Sequence, residues 1–86
     1  MKTFKYYKDV PKDFTGICQI LYMDEIIYYE NGKIHNENGH ALLAIGNHKL
    51  WYYKGKCYGS DNDFTIETWK EKVEYLKREE ELKIFI

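Results

Sequence analysis

The chain repeats itself at a constant offset of 23 residues, with residues 16–38 and 39–61 running in parallel. Gly16 matches Gly39, Tyr29 matches Tyr52, and Gly32-Lys33 matches Gly55-Lys56. Conservative matches keep the same phase: Ile20 with Leu43, Asp24 with Asn47, Ile27 with Leu50, and Tyr28 with Trp51. A period of this length implies one supersecondary unit used twice.

Each copy reads as a β-hairpin. In the first, strands over residues 16–22 and 26–30 are followed by Asn31-Gly32, a two-residue turn that needs positive φ at both positions. Residues 33–35 return. In the second, strands over residues 41–45 and 49–53 flank a Gly46-Asn47-His48 turn, and Lys54-Gly55 turns the chain into residues 56–58. The two-residue turns set the register. Glu30 faces Lys33, Tyr29 faces Ile34 and Tyr28 faces His35. By the same rule Tyr53 faces Lys56, Tyr52 faces Cys57 and Trp51 faces Tyr58. Side chains alternate along a strand, so Ile27, Tyr29, Ile34, Leu50, Tyr52 and Cys57 share a core side. Tyr28, His35, Trp51 and Tyr58 form an aromatic band on the other, which needs a cover.

The cover is a helix over about residues 66–81. Thr65 is its N-cap, Phe64 staples onto Trp69, and Ile66, Trp69, Val73 and Leu76 fall on one face. Lys70, Glu71, Lys72, Lys77 and Arg78 occupy the rest. Residues 82–86 form an apolar, β-branched tail that reads as a final edge strand or a contact with another chain, a homo-oligomer interface. Residues 1–15 are a lead, with an edge strand through Phe4 and Tyr6 and a turn at Val10-Pro11-Lys12-Asp13. The expected fold class is α+β: one domain, an antiparallel sheet of tandem hairpin repeats closed by one C-terminal helix.

Eighty-six residues, 44% apolar, are ample for folding but allow only a small core. Thirteen basic against fourteen acidic residues argue against direct nucleic-acid binding. Five of the acids fall in residues 71–81. The apolar runs are too short to span a membrane, and residues 1–5 lack the apolar stretch of a signal peptide, so a cytoplasmic protein is expected. Cys18 and Cys57 fit no metal or redox spacing and read as reduced, buried thiols.

The string from Asn31 to Ala41, N-G-K-I-H-N-E-N-G-H-A, resembles a repeat of bacteriophage and bacterial proteins, W-Y-x-N-G-K-x-H-R-x-D-G-P-A, which is MORN-like in style. Phe14-Thr15-Gly16-Ile17 is similar to the F-T-G-I segment that often precedes the first such unit. Residues 63–73 resemble the helix that often closes these proteins. The resemblance covers residues 10–76. Asn36, Asn38 and His40 stand where arginine, aspartate and proline are usual, and Tyr58 replaces the histidine of the second copy. The turn glycines and aromatic pairs persist, so the resemblance implies the architecture and a phage-like origin, with no reaction attached.

Catalytic constellations are not expected. The three histidines do not have zinc spacing. His35 is expected to pack on Tyr28, and His40 and His48 to be exposed. Ser60 has no partner base in the pattern, and Cys57 and His35 fall on opposite faces. Asp61-Asn62-Asp63 lacks the glycine and distal glutamate of a calcium loop. No metal or cofactor is called for. Nine tyrosines and two tryptophans remain. Tyr29, Tyr52, Trp51 and Trp69 read as structural, whereas Tyr6, Tyr7, Tyr22, Tyr53 and Tyr58 read as contact residues, since tyrosine supplies rigid contact area at low entropic cost.

The expected function is therefore binding. Its concrete form is a small phage-type inhibitor of a host defence protein, an anti-CRISPR or similar factor. Tyr22, Tyr53 and Tyr58 are its aromatic contacts, and Glu71, Glu74 and Glu79 compete for a basic channel. The alternative is a nucleotide-signal sponge that stacks bases on tyrosine and meets phosphates with Lys33, Lys49 or Lys56. A purely structural interaction module is the third reading.

Overall fold

Two glycine turns, each with positive φ at both central residues, organise the computed structural model, which describes residues 1–84. Asn31 and Gly32 have φ of 50° and 79°, Lys54 and Gly55 have 48° and 85°, so both turns have the expected hairpin geometry. Asp24 and Asn47, again 23 residues apart, also sit at positive φ.

Seven strands form one sheet: β1 (Lys2–Phe4), β2 (Gly16–Ile20), β3 (Glu25–Glu30), β4 (Lys33–Ile34), β5 (Leu42–Ala44), β6 (His48–Tyr53) and β7 (Lys56–Ser60). The order is β1-β2-β3-β5-β6-β7, with β4 pairing only to β3. Every pairing is antiparallel except β1 with β2, which is parallel. Among the described residues one α-helix, α1 (Ile66–Ile84), follows. The α+β class is as expected. Among the described residues no helix is long and apolar enough to cross a membrane.

The first hairpin has the expected register, with Tyr29 opposite Ile34 and Glu30 opposite Lys33, and the His35 N–H donating to the Tyr28 carbonyl at 2.9 Å. The second departs from it. Tyr53 faces Lys56 and Tyr52 faces Cys57, but a bulge between Trp51 and Tyr52 sets Trp51 opposite Gly59 and not Tyr58. The bulge suits a glycine: a Cβ on Gly59 would press on Asp63 and the Phe64 ring at 3.0 and 3.1 Å.

The sheet is covered on opposite faces by different segments. On one, Cys18, Ile20, Ile27 and Leu42 are buried beneath Val10 and Phe14 of the lead, with Tyr29, Ile34, Leu50 and Tyr52 packed alongside. Cys57, expected here, is exposed, because it lies on edge strand β7 while the lead covers the other end. On the second face, α1 lays Trp69, Val73 and Leu76 on Trp51 and Tyr53, with Tyr58 and Phe64 at the margin.

Local chemistry explains where α1 begins. The Thr68 N–H donates to Thr65 Oγ1 (3.1 Å) and the Thr65 N–H donates to Thr68 Oγ1 (2.8 Å), a reciprocal cap. The Phe64 and Trp69 rings meet at 5.0 Å as the expected staple. Ile66 is exposed, a correction to its place on the apolar face: the first contact with the sheet comes at Trp69. The helix also runs past residue 81, because Glu79-Glu80-Glu81-Leu82-Lys83 is a run of good helix formers with no breaker. Leu82 is thus on an exposed helical turn and not in a tail strand. Phe85 and Ile86, the rest of that expected tail, lie outside the described residues.

Candidate functional site

The sequence-derived contact residues fall in three places. Tyr53 is only 5% exposed and belongs to the core under α1. Its ring meets His35 at 5.1 Å and its hydroxyl donates to Glu80 at 3.3 Å, so it is a structural residue, contrary to expectation. Tyr58 is half-buried, 6.2 Å from the Trp69 ring, and the Lys56 and Lys72 ammoniums lie over it at 5.1 and 5.5 Å. Glu71 and Glu74 are exposed on the helix, whereas Glu79 is half-buried, and its carboxylate beside Tyr75 pushes that phenol's pKa up. Lys70, Lys72, Lys77 and Arg78 interleave with these acids, and Glu80 is tied to Lys54 at 3.0 Å. The outward face of α1 is therefore mixed in sign.

Tyr22 stands apart from the other two groups. It is 71% exposed at the end of a cleft of about 360 Å³ lined by Tyr6, Tyr7, Lys8, Ile20, Tyr22 and Met23. The parallel pairing of β1 with β2 builds this cleft and continues past the strands: the Leu21 N–H donates to the Phe4 carbonyl (2.9 Å) and the Tyr22 N–H to the Lys5 carbonyl (3.0 Å). These bonds set the Tyr6 and Tyr22 rings 5.3 Å apart. Asp9 accepts the Tyr6 N–H at 3.1 Å, which fixes the short 3-10 turn Tyr7–Asp9 that forms one wall. The Lys5 and Lys8 ammoniums lie over the Tyr6 ring at 5.5 and 5.4 Å. The result is an open apolar cleft with exposed Tyr7, Leu21, Tyr22 and Met23 around it and two cations at its margin.

A second arrangement was not expected from sequence. Glu30, His35 and Glu37 bring three ligand-type atoms within 4.8 Å of one another. His35 is buried, and its Nε2 lies 3.2 Å from both Glu30 Oε2 and Glu37 Oε2. Its Nδ1 accepts the Lys54 backbone N–H at 2.8 Å. A backbone N–H can only donate, so Nδ1 carries the lone pair and the neutral ring holds its proton on Nε2, shared toward the two carboxylates. A metal at Nε2 would need that lone pair there, with Nδ1 protonated against the Lys54 N–H. Metal-bound histidines have the opposite arrangement, donating from the far nitrogen. This cluster is a hydrogen-bonded junction that ties the first hairpin to the second. Lys77 extends it to α1 through a 2.7 Å pair with Glu37, whose carboxyl is held below the usual range chiefly by that bond.

The histidines correct two further expectations. His35 packs on Tyr53, not on Tyr28, because it lies across the gap between the hairpins. His40 is half-buried between Tyr28 (6.4 Å) and Trp51 (6.1 Å), and burial, then Lys49, lowers its pKa. His48 is exposed as expected, 3.3 Å from Asp61. The Cys18 thiol is buried, which raises its pKa.

Comparison with protein-family models, with curated proteins and with solved structures finds no match for this chain.

Proposed function

We propose that this chain is a non-enzymatic binding protein that docks on a host protein through the cleft at Tyr6, Tyr7, Tyr22 and Met23. The observation that carries the reading is the exposure of Tyr22, held beside Tyr6 by the backbone bonds that join residues 4–5 to residues 21–22. A tyrosine fixed in the open offers rigid area for a partner at little further loss of entropy, and methionine adapts to the partner's shape. The resemblance to phage-type repeat proteins makes the partner a component of a bacterial defence system, met in the host cytoplasm. Inhibition then consists of occupying the partner's working surface.

The nucleotide-sponge alternative has less support. The ring of Tyr58, its stacking candidate, already has two lysine ammoniums over it and rests on Trp69.

The test is capture from a bacterial host lysate with wild type, Tyr22→Ala and Met23→Asp, followed by mass spectrometry of proteins and extraction of nucleotides from the same sample. An anchor tyrosine contributes about 2 kcal/mol, roughly 30-fold in affinity. A defence protein retained by wild type and lost from both variants supports the reading. Retention unaffected by either change overturns it, and a nucleotide enriched with wild type moves the assignment to the small-ligand class.

A further inference from the structure

We infer that the segment received by the cleft between Tyr6 and Tyr22 is acidic: an extended stretch of the partner with one leucine or aromatic side chain in the cleft and carboxylates on either side of it. The inference rests on the docking reading above and adds the partner's chemistry. Residues 1–8 supply the charge of the cleft. They hold three lysines and no acid, in a chain whose net charge is −1. Lys5 and Lys8 are exposed, and each ammonium lies within 5.5 Å of the centre of the Tyr6 ring. Neither makes an ion pair among the described residues, whereas Lys54 and Lys77 are paired with Glu80 and Glu37. Of the two acids nearby in the chain, Asp9 accepts the Tyr6 N–H at 3.1 Å. Asp24 lines a different cleft, with Gln19, Ile26 and Leu43.

Two like charges held over one ring repel each other, and carboxylates brought beside them relieve that repulsion. The attraction strengthens where a bound apolar group displaces water. A bare anion does not meet the rest of the site, because the other lining side chains are three tyrosines, Ile20 and Met23. The volume, about 360 Å³, is at the small end for a binding pocket and suits one large apolar side chain. An aromatic one would add edge contacts with the Tyr6 and Tyr22 rings. The site is concave, bounded by Tyr22 and by the turn Tyr7–Asp9, so it takes a protruding side chain and not the flat face of a bilayer.

The spacing of the charges sets the pattern of the occupant. In an extended segment side chains two positions apart share a face and stand about 6.6 Å from each other. That is close to the 5.4 and 5.5 Å between the Tyr6 ring and the two ammoniums. With the apolar side chain on the ring, acids two positions before and after it reach Lys5 and Lys8.

Selection from a phage-displayed library of random dodecapeptides on immobilised wild type tests this. The enriched peptides should have aspartate or glutamate two positions on either side of leucine, phenylalanine or tryptophan. A fluorescein-labelled copy of the most enriched peptide is then titrated by anisotropy, with far-UV circular dichroism confirming the fold of each variant. The double change Lys5→Gln and Lys8→Gln should weaken binding about tenfold, and Tyr22→Ala about 30-fold. Raising salt from about 0.1 to 1 M shortens screening from about 10 to 3 Å and should bring wild type to the level of the double variant. Enriched peptides without an acidic bias, no enrichment at all, or a double variant that binds like wild type overturns the inference. So does flotation of wild type with phosphatidylserine vesicles in the absence of any enriched peptide, which would make the occupant an anionic membrane. Peptides enriched without acids leave docking on a protein standing, and that reading fails separately, when capture from lysate ignores Tyr22→Ala and Met23→Asp.

Discussion

Two glycines in the same kind of turn, 23 residues apart, should differ in what they contribute, and the difference reads out the docking of the lead. Gly32 and Gly55 have φ of 79° and 85°, so alanine at either position is strained by about 1 kcal/mol. At Gly55 that is the whole effect, because a Cβ would meet only the Lys33 side chain at ordinary contact distance, 3.6 Å. At Gly32 a Cβ would overlap the Lys12 carbonyl, so the lead must lift from the turn. Two bonds go with it, from the Gly32 N–H to the Phe14 carbonyl and from the Asn31 N–H to Thr15 Oγ1, both 2.9 Å. At about 1 kcal/mol each, Gly32→Ala should lose about 3 kcal/mol against about 1 for Gly55→Ala. A domain of this size has only about 4–13 kcal/mol in total. With a urea m-value of roughly 1 kcal/mol/M the midpoints should fall by about 3 M and 1 M. Gly32→Ala should also make residues 5–15 susceptible to limited proteolysis under native conditions, while Gly55→Ala should not. Equal losses for the two variants, or a protected lead in Gly32→Ala, would refute the reasoning.

Trp69 has no exposed surface, packs on Trp51 and Phe64, and donates from Nε1 to the Asn36 carbonyl at 2.8 Å. Trp69→Ala should lose about 3–5 kcal/mol in chemical denaturation, and Trp69→Phe, which keeps the ring stack, clearly less. For Glu37 the folded carboxyl titrates below its ordinary range, first because of Lys77 and then His35, so its contribution is complete above that range and is lost as pH falls through the folded value. Glu37→Gln should flatten the acid limb of the stability curve, and an unchanged limb would count against the junction. Reversing Glu71, Glu74 and Glu79 to lysine should leave helix content unchanged by circular dichroism. If the helix competes for a basic channel, it should also weaken capture of the partner in a salt-dependent way.

The hairpins were legible because their determinants are local. Positive-φ turns and two-residue alternation together fix which residues face each other, and Tyr29 with Ile34 follows from Asn31-Gly32 alone. The bulge at Trp51 was not legible, since it depends on Asp63 and Phe64 closing over Gly59. The burial of Tyr53 was within reach: alternation from Trp51 already puts it beneath the helix, and its reading as a contact residue set that rule aside. Alternation does not reach the Glu30, His35 and Glu37 cluster, because β4 ends at Ile34 and Glu37 lies in the loop beyond it. The cleft at Tyr22 was legible only as an aromatic surplus. Its shape depends on the parallel pairing of β1 with β2, a contact that no local pattern announces.

The order of elements along the chain also has a consequence during synthesis. Every strand precedes α1, so Trp51, Tyr53 and Tyr58 have no cover until α1 has been made and has left the exit tunnel. The aromatic face therefore closes only after the last strand of the sheet has emerged, and a chain cut before Ile66 should present it to chaperones and to neighbouring nascent chains.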